Sequence, residues 1–255
     1  MNPNTIWIWG RHPVIEAIRS GRAEEVLVEI DRRPSPHASE LETLAATHRV
    51  PLRRAERTEL EKIAPGEPTQ GVAARIRLPA SLDLHTVLTS LKGSAGIPFL
   101  LALDQVQDPH NVGALLRTAN AAGVHGVLLP DRRTSPISGA VTRVSAGAVY
   151  HVPLVEVGNL ARALREAKAA GLWVAGLDET AHQSIYDADL TLPLVLAVGN
   201  EGEGLRRLTR DHCDFLLRVP MAGVIASLNA SVAGAIAMYE VVRQRIQAAQ
   251  LGANR

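Results

Sequence analysis

Aromatic residues are scarce: two Phe, three Tyr and three Trp make up 3% of the 255 residues. A wide stacking platform for single-stranded nucleic acid is therefore not expected. There is one cysteine, Cys213. A single thiol excludes an intrachain disulfide and any zinc site built on cysteines, and it fits a reducing compartment. The nine histidines show no HExxH and no paired spacing, so no metal site is read. An excess of one charge is also missing. Lys and Arg number 27 against 26 Asp and Glu, a formal net charge of +1. Residues 1–79 hold 12 basic against 11 acidic, and the remainder 15 against 15, so neither part is a basic arm. Only three of the basic residues are lysines, Lys62, Lys92 and Lys168. The excess of arginine offers planar, forked donors suited to phosphate. The opening MNPNTIWIWGRHP lacks the basic start, apolar stretch and cleavage site of a signal peptide, so a cytoplasmic location is expected.

One long stretch lacks charge, residues 219–239 (VPMAGVIASLNASVAGAIAMY). It is long enough for a membrane. Pro220, Gly223, Ser227, Asn229, Ser231 and Gly234 interrupt it, so it reads as a loop and a buried helix with a small-residue face, not as a span.

Hydrophobic residues reach 46%, enough for a sizeable core, and the length suits two domains. Residues 1–79 alternate short strand and helix signals: strands at 6–10, 26–30, 50–52 and 71–78, helices at 12–20, 39–48 and after Thr58. Glu61 stands three residues after Thr58, the capping-box spacing. Residues 80–96 read as a linker with one short helix. From 97 to 255, apolar strands at 98–103, 126–129, 152–155, 172–177, 194–198 and 215–219 alternate with helices near 111–122, 136–144, 159–170, 183–187, 205–211 and beyond Ser227. That alternation predicts an α/β domain with a parallel sheet covered on both faces.

Three stretches carry chemistry. DQVQDPHNVGALLRTANAAG (104–123) follows a strand and opens a helix at Asn111, with Arg117 in an apolar setting. Asn111 also suits a helix cap, and free amides at a helix start can receive an anion. PLVLAVGNEGEGL (193–205) ends a strand in a glycine loop. Its glycines run GxxGxG, not the GxGxxG of dinucleotide folds, and no P-loop lysine follows. Glu201 and Glu203 would repel a pyrophosphate but not a cationic cofactor. In the third, residues 219–245, Ala226, Ala230, Gly234 and Ala237 are spaced to let another backbone approach, and Ser227, Asn229 and Ser231 need polar partners. The arginine clusters Arg32–Arg33, Arg53–Arg54 with Arg57, Arg132–Arg133, and Arg206–Arg207 with Arg210 read as solvated faces.

Together these stretches resemble the SpoU/TrmH family of RNA ribose 2′-O-methyltransferases, of the SPOUT superfamily. Asn111 with Arg117 matches its first motif. Gly199, Glu201 and Gly204 match its second, and Pro220 with SLNASVA (227–233) its third. WGRHPVIEAI and TQGVAA near the two ends of the first part are similar to the substrate-binding domain of the branch acting on large-subunit rRNA.

The resemblance implies a SPOUT-type catalytic domain with a deep trefoil knot, behind a small ribosomal-protein-like α/β domain. It implies S-adenosylmethionine as cofactor, held by Gly199, Val219 and Leu228, with Gly176, Val198, Gly202, Pro220 and Ser227 around it. The loop glycines would then leave room for that cofactor. Arg117 would stand at the 2′-hydroxyl, stabilising the forming oxyanion or acting as base with a substrate phosphate, the first being favoured. Asn111 and Glu201 would orient Arg117 or the RNA, and Asn229 would position the ribose or the first-motif loop. A homodimer is implied, with the small-residue helix face contributing. RNA, 23S rRNA by preference, is the expected partner, through Arg11, His12, Arg19 and Arg22. The target implied is a guanosine of the peptidyl-transferase P loop. A tRNA guanosine methyltransferase and a non-catalytic RNA-binding assembly protein are the alternatives. A nicotinamide oxidoreductase is disfavoured by the glycine order.

Overall fold

The computed structural model describes residues 5–30, 36–93, 96–131, 133–225 and 227–253. Arg32, Arg33, Arg132 and Ala226 lie outside the described residues. The chain divides into two compact units, 1–80 with 137–151, and 81–136 with 152–255.

The first unit holds β1 (Thr5–Trp9), α1 (Arg11–Arg19), β2 (Ala23–Glu29), α2 (Pro36–Thr47), β3 (Leu52–Ala55), α3 (Arg57–Ile63) and β4 (Val72–Arg77). Its sheet runs β1-β4-β2-β3, antiparallel except for the parallel pair β2–β3. Leu27, Ala55, Leu60 and Ala73 form its core, with Trp7, Trp9 and Ile63 against them. The expected capping box is not formed. Helix α3 starts two residues earlier, Glu56 is its N-cap, and Thr58 lies inside the first turn.

Residues 137–151, expected in the second domain, pack with the first unit. They form α6 (Gly139–Val144) and a short 3-10 turn (Ala148–Tyr150). A Cβ on Gly139 would stand 2.5 Å from the Trp7 carbonyl oxygen, so only glycine lets α6 settle on β1. Arg143 lies 5.9 Å from the Trp9 ring centre and pairs with Glu67 at 2.7 Å. Sequence periodicity sees the helix but not which sheet it rests on.

The second unit begins earlier than expected. Helix α4 (Leu84–Leu91) is not a linker element. Asp83 caps it by accepting from the Thr86 amide at 2.9 Å, and Leu84, Val87, Leu88 and Leu91 enter the same core as Leu100, Leu128 and Val155. Burying a Leu or Val side chain contributes about 2 kcal/mol, which is enough to fix this segment to its domain.

The remaining elements are β5 (Phe99–Leu103), α5 (Pro109–Ala121), β6 (Gly126–Pro130), β7 (Leu154–Val157), α7 (Leu160–Ala169), β8 (Trp173–Leu177), β9 (Gln183–Ser184), β10 (Leu194–Val198), α8 (Arg207–His212), β11 (Phe215–Arg218) and α9 (Ala230–Ala253). The sheet order is β7-β6-β5-β10-β8-β11-β9, and every pair is parallel. All residues of β5, β6 and β10 are buried, as strands covered on both faces require. The helix expected near 183–187 is instead the two-residue strand β9, parallel to β11.

Helix α9 does not start until Ala230, so the chargeless stretch is half loop. Among the described residues no helix is long and apolar enough to cross a membrane. The small-residue face of α9 is spent inside the chain. A Cβ on Gly234 would stand 2.5 Å from Leu115 of α5, so α9 lies close on that helix, and this face is not free for a second copy. Arg245 fixes the far end. Its guanidinium donates to the carbonyls of Ile97 (2.7 Å), Pro98 (3.1 Å) and Leu192 (2.7 Å) and stacks 5.1 Å from the Phe99 ring centre. Burial lowers its pKa to about 10, so it stays charged at neutral pH.

Candidate active site

A cleft of about 210 Å³ opens at the C-terminal ends of β8, β10 and β11. Crevices at the carboxyl ends of parallel strands are where ligands bind in open α/β sheets. Leu177, Val198, Leu205, Leu217, Val219 and Leu228 supply apolar walls.

The glycine loop forms one rim, and its sequence explains its shape. Asn200 and Gly204 exchange two backbone hydrogen bonds, 3.0 and 2.9 Å, and the Asn200 side chain accepts from the Gly202 amide at 2.9 Å. The loop therefore folds back on itself. A Cβ on Gly199 would sit 2.2 Å from the carbonyl carbon of Gly204. Gly199 is thus required by the loop's own turn. Gly204 has φ +65°, a left-handed conformation that favours glycine.

Asn229, Asn111 and Glu201 meet in one junction. The Asn229 amide nitrogen donates to Asn111 Oδ1 at 3.0 Å and also to Glu201 Oε1. Its amide oxygen accepts from Ser231 N (2.9 Å), Ser231 Oγ (2.6 Å) and Val232 N (3.3 Å), so the same side chain caps α9. Asn111 is buried in the first turn of α5 and is not the cap, a role Asp108 fills by accepting from the His110 amide at 2.9 Å. Glu201 faces Asn229, and among the described residues no arginine pairs with it. Arg117 is exposed on α5 and makes no hydrogen bond or ion pair among the described residues. Glu203 is exposed.

Of the residues expected around a cofactor, Gly199, Val219, Leu228, Val198, Gly202 and Ser227 line the cleft. Gly176 and Pro220 do not. Gly176 makes room for its own chain: a Cβ there would come within 2.6 Å of Leu205 and 2.7 Å of Cys213 Sγ. Burial pushes the Cys213 thiol up to about 12, so it is no nucleophile at neutral pH. Of the residues expected at RNA, Arg11 pairs with Glu40 at 3.3 Å and Arg19 with Glu16 at 3.2 Å. His12 is exposed and Arg22 half-buried.

Two contributors escaped the sequence reading. Asp104 is 0% exposed at the end of β5 and holds Arg206 through Nε at 2.7 Å and through its amide at 2.8 Å. Asn200 ties the glycine loop to the Gln105 carbonyl at 3.0 Å. Both anchor the loop to the first motif. The available signal was a carboxylate directly after the apolar run FLLAL, since a buried charge must be paired.

The cleft carries four carboxylates, Asp178, Glu179, Glu201 and Glu203, against Arg210 and Arg218. Asp178 is taken up by Arg210 at 3.0 Å. The balance is acidic and the walls are apolar, which fits a cationic cofactor with a flat aromatic part, such as S-adenosylmethionine. Among the described residues no group of three or more His, Cys, Asp or Glu could hold a metal ion.

A parallel α/β sheet with a cleft at its carboxyl ends and a polar junction beside it defines a cofactor-binding enzyme of the α/β class. Comparison with known proteins narrows this. Residues 98–239 match the SpoU rRNA Methylase family, and residues 7–81 match the RNA 2′-O ribose methyltransferase substrate-binding domain. The chain belongs to the SpoU rRNA methylase family. It is 43% identical to the 23S rRNA (guanosine-2′-O-)-methyltransferase RlmB of Pseudomonas aeruginosa, over 93% of this chain and 96% of that one. It is 46% identical to the protein of the same name from Pseudomonas putida, over 84% of this chain and 86% of that one. The crystal structure of the SpoU methyltransferase AviRb from Streptomyces viridochromogenes with AdoMet superposes with TM-score 0.77 at 27% identity, covering 96% of this chain and 92% of that one.

Proposed function

We propose that this chain transfers a methyl group from S-adenosylmethionine to the ribose 2′-oxygen of a guanosine in 23S rRNA. The observation that carries the reading is the junction of Asn111, Glu201 and Asn229. Side chains from three motifs far apart in sequence share one hydrogen-bonded cluster beside an acidic, apolar-walled cleft. The names of the relatives supply the substrate class.

The cofactor, when bound, supplies an electrophilic methyl group on a sulfonium. The chain has to place the ribose oxygen in line and favour loss of its proton. Arg117 is the cation for that task. It lies on α5 about 9 Å further along the axis than Asn111, and its guanidinium is not taken up by any carboxylate among the described residues. Arginine stays protonated, with a pKa above about 12, so it stabilises the forming oxyanion electrostatically and does not accept the proton. Asn229 holds the start of α5 to the start of α9 and keeps Glu201 on the cleft rim. Gly199, Val219 and Leu228 hold the cofactor.

The finer parts of the reading follow from the same placement. The second unit would carry the trefoil knot that the family resemblance implies, with α9 packed against α5 and β10. A homodimer is supported by the exposed stripe Val232, Tyr239 and Ile246, spaced by seven on α9, and by Val224 and Ile225 in the loop before it. The first unit, a mixed four-stranded ribosomal-protein-like domain, would recognise the RNA, with Arg11, His12, Arg19 and Arg22 as contacts. The target guanosine would be that of the peptidyl-transferase P loop, and the location cytoplasmic.

The test is to incubate the protein with radiolabelled S-adenosylmethionine and unmodified 23S rRNA or tRNA, and then map ribose methylation. Methylation of one guanosine in the P loop is expected. Transfer to tRNA alone would overturn the target, and transfer to neither would overturn the activity.

A further inference from the structure

A second concavity of about 570 Å³ lies at the C-terminal ends of β6 and β7, in the same unit as the cofactor cleft and sharing none of its lining. The chain passes from one to the other between Leu205 and Arg206. Arg133, Arg206 and Arg207 line the groove against a single carboxylate, Asp131.

These guanidiniums are largely uncommitted. Arg133 has no hydrogen bond or ion pair among the described residues. Arg206 gives only its Nε to buried Asp104, at 2.7 Å, which fixes the side chain and leaves both terminal amino groups without a partner among the described residues. Arg207 has its side chain 92% exposed, and the Asp211 carboxylate near it is 3.7 Å away, too far for a hydrogen bond. The opposite wall is the first turn of α7, where Asn159 caps the helix and the dipole's positive end faces the groove. Leu208, 65% exposed, adds an apolar surface.

Forked donors in a groove, one of them held rigidly from behind, suit phosphate oxygens. An apolar side chain among them suits the sugar and base faces that lie between phosphates. The ends of β6 and β10 are two strand positions apart, roughly 10 Å, so one nucleic-acid strand can run from the groove to the cofactor cleft.

We propose that this groove binds the backbone phosphates of the RNA nucleotides that flank the methylated one. The inference rests on the methyltransferase reading above. It assigns the catalytic unit its own RNA-holding surface, separate from the first unit.

The experiment uses the full chain and an unmodified 23S rRNA fragment containing the target guanosine. Binding of wild type, the Arg133→Gln/Arg207→Gln double variant and Asp131→Asn is measured across a salt series, with S-adenosylmethionine binding followed by calorimetry. Each phosphate contact with a single strand adds about 0.7 to the log–log salt slope, so losing two should flatten it by about 1.4 and weaken binding on the order of tenfold near 0.15 M salt. KM for RNA should rise with kcat at saturating RNA and cofactor affinity unchanged, and Asp131→Asn should bind RNA more tightly than wild type. A double variant with wild-type RNA affinity and salt slope, while wild type methylates the fragment, overturns the groove. If wild type itself fails to methylate the fragment, the underlying reading has failed and the proposal falls with it.

Discussion

The two units carry balanced charge, but in the second several arginines next to the site and groove are left without a carboxylate or only partly used. In the first, Arg53 is held by Glu25 and Glu59, Arg54 by Glu42, Arg57 by Glu61, and Arg77 by Glu24. The sheet of that unit wears a neutralised lattice. In the second, Arg162, Arg210 and Arg243 are paired with Glu166, Asp178 and Glu240, but Arg117 and Arg133 have no such partner among the described residues, and of its guanidinium Arg206 gives Asp104 the Nε alone. Net charge does not tell where a polyanion attaches. A guanidinium with a free donor face offers a phosphate more than one its own chain has fully claimed.

The largest effect expected from disturbing this contrast is on stability. Arg206→Met should cost about 3 kcal/mol, because it leaves buried Asp104 charged with only the backbone amide of residue 206 to accept from. Urea unfolding measures it, and a loss below about 1 kcal/mol would show that Asp104 does not depend on Arg206. Arg117→Ala comes next. Removing a group that stabilises a developing oxyanion typically lowers kcat about 10²–10³-fold. Cofactor affinity should not change, and near-normal transfer with intact cofactor binding would sink the role given to Arg117.

A smaller effect concerns acid. Glu240 is buried, and its bonds to Arg243 and Gln244 hold its carboxyl below the usual range. A depressed carboxylate stabilises the fold above its unfolded pKa of about 4.3, and that contribution vanishes as pH falls through the folded value. Glu240→Gln should therefore melt lower than wild type at pH 7, with the gap closing as the pH drops below about 4. A constant gap across that range would contradict the pairing. The smallest effect is expected from Arg53→Gln in the lattice of the first unit. The side chain is half-exposed and its partners are solvated, so melting temperature and RNA affinity should both stay at wild-type values. A clear fall in RNA affinity would move the binding surface to that sheet and break the contrast.

Much of the fold was legible. Apolar runs such as FLLAL and LVLAV became the buried strands β5 and β10 because a strand covered on both faces has no polar side to show. The misread elements were short and lacked periodicity. β9 has two residues and exists only because β11 lies beside it. The fate of α6 was hidden because its attachment depends on a close approach at Gly139, which no pattern along the chain encodes.

The site was legible in its members and less so in its wiring. Asn111, Glu201 and Asn229 stood out as polar residues in apolar or glycine-rich settings, yet the expected partnership of Glu201 with Arg117 is not formed. Gly176 and Gly199 were expected at the cofactor. Gly176 lies outside the cleft and relieves contacts with Leu205 and Cys213, while Gly199 lines the cleft and also relieves a contact with Gly204.

The sequence by itself determined the α/β class, the parallel strands, the motif order and the residue types available to the site. Local periodicity and composition decide these, since each depends on neighbours within a few positions. Tertiary structure alone decided which arginines are claimed by a carboxylate, which face of α9 is spent on α5, and that Asp104 anchors Arg206 across 102 residues. Pairing and close packing are properties of distance in space, and a chain that folds back can bring any two of its residues to 3 Å.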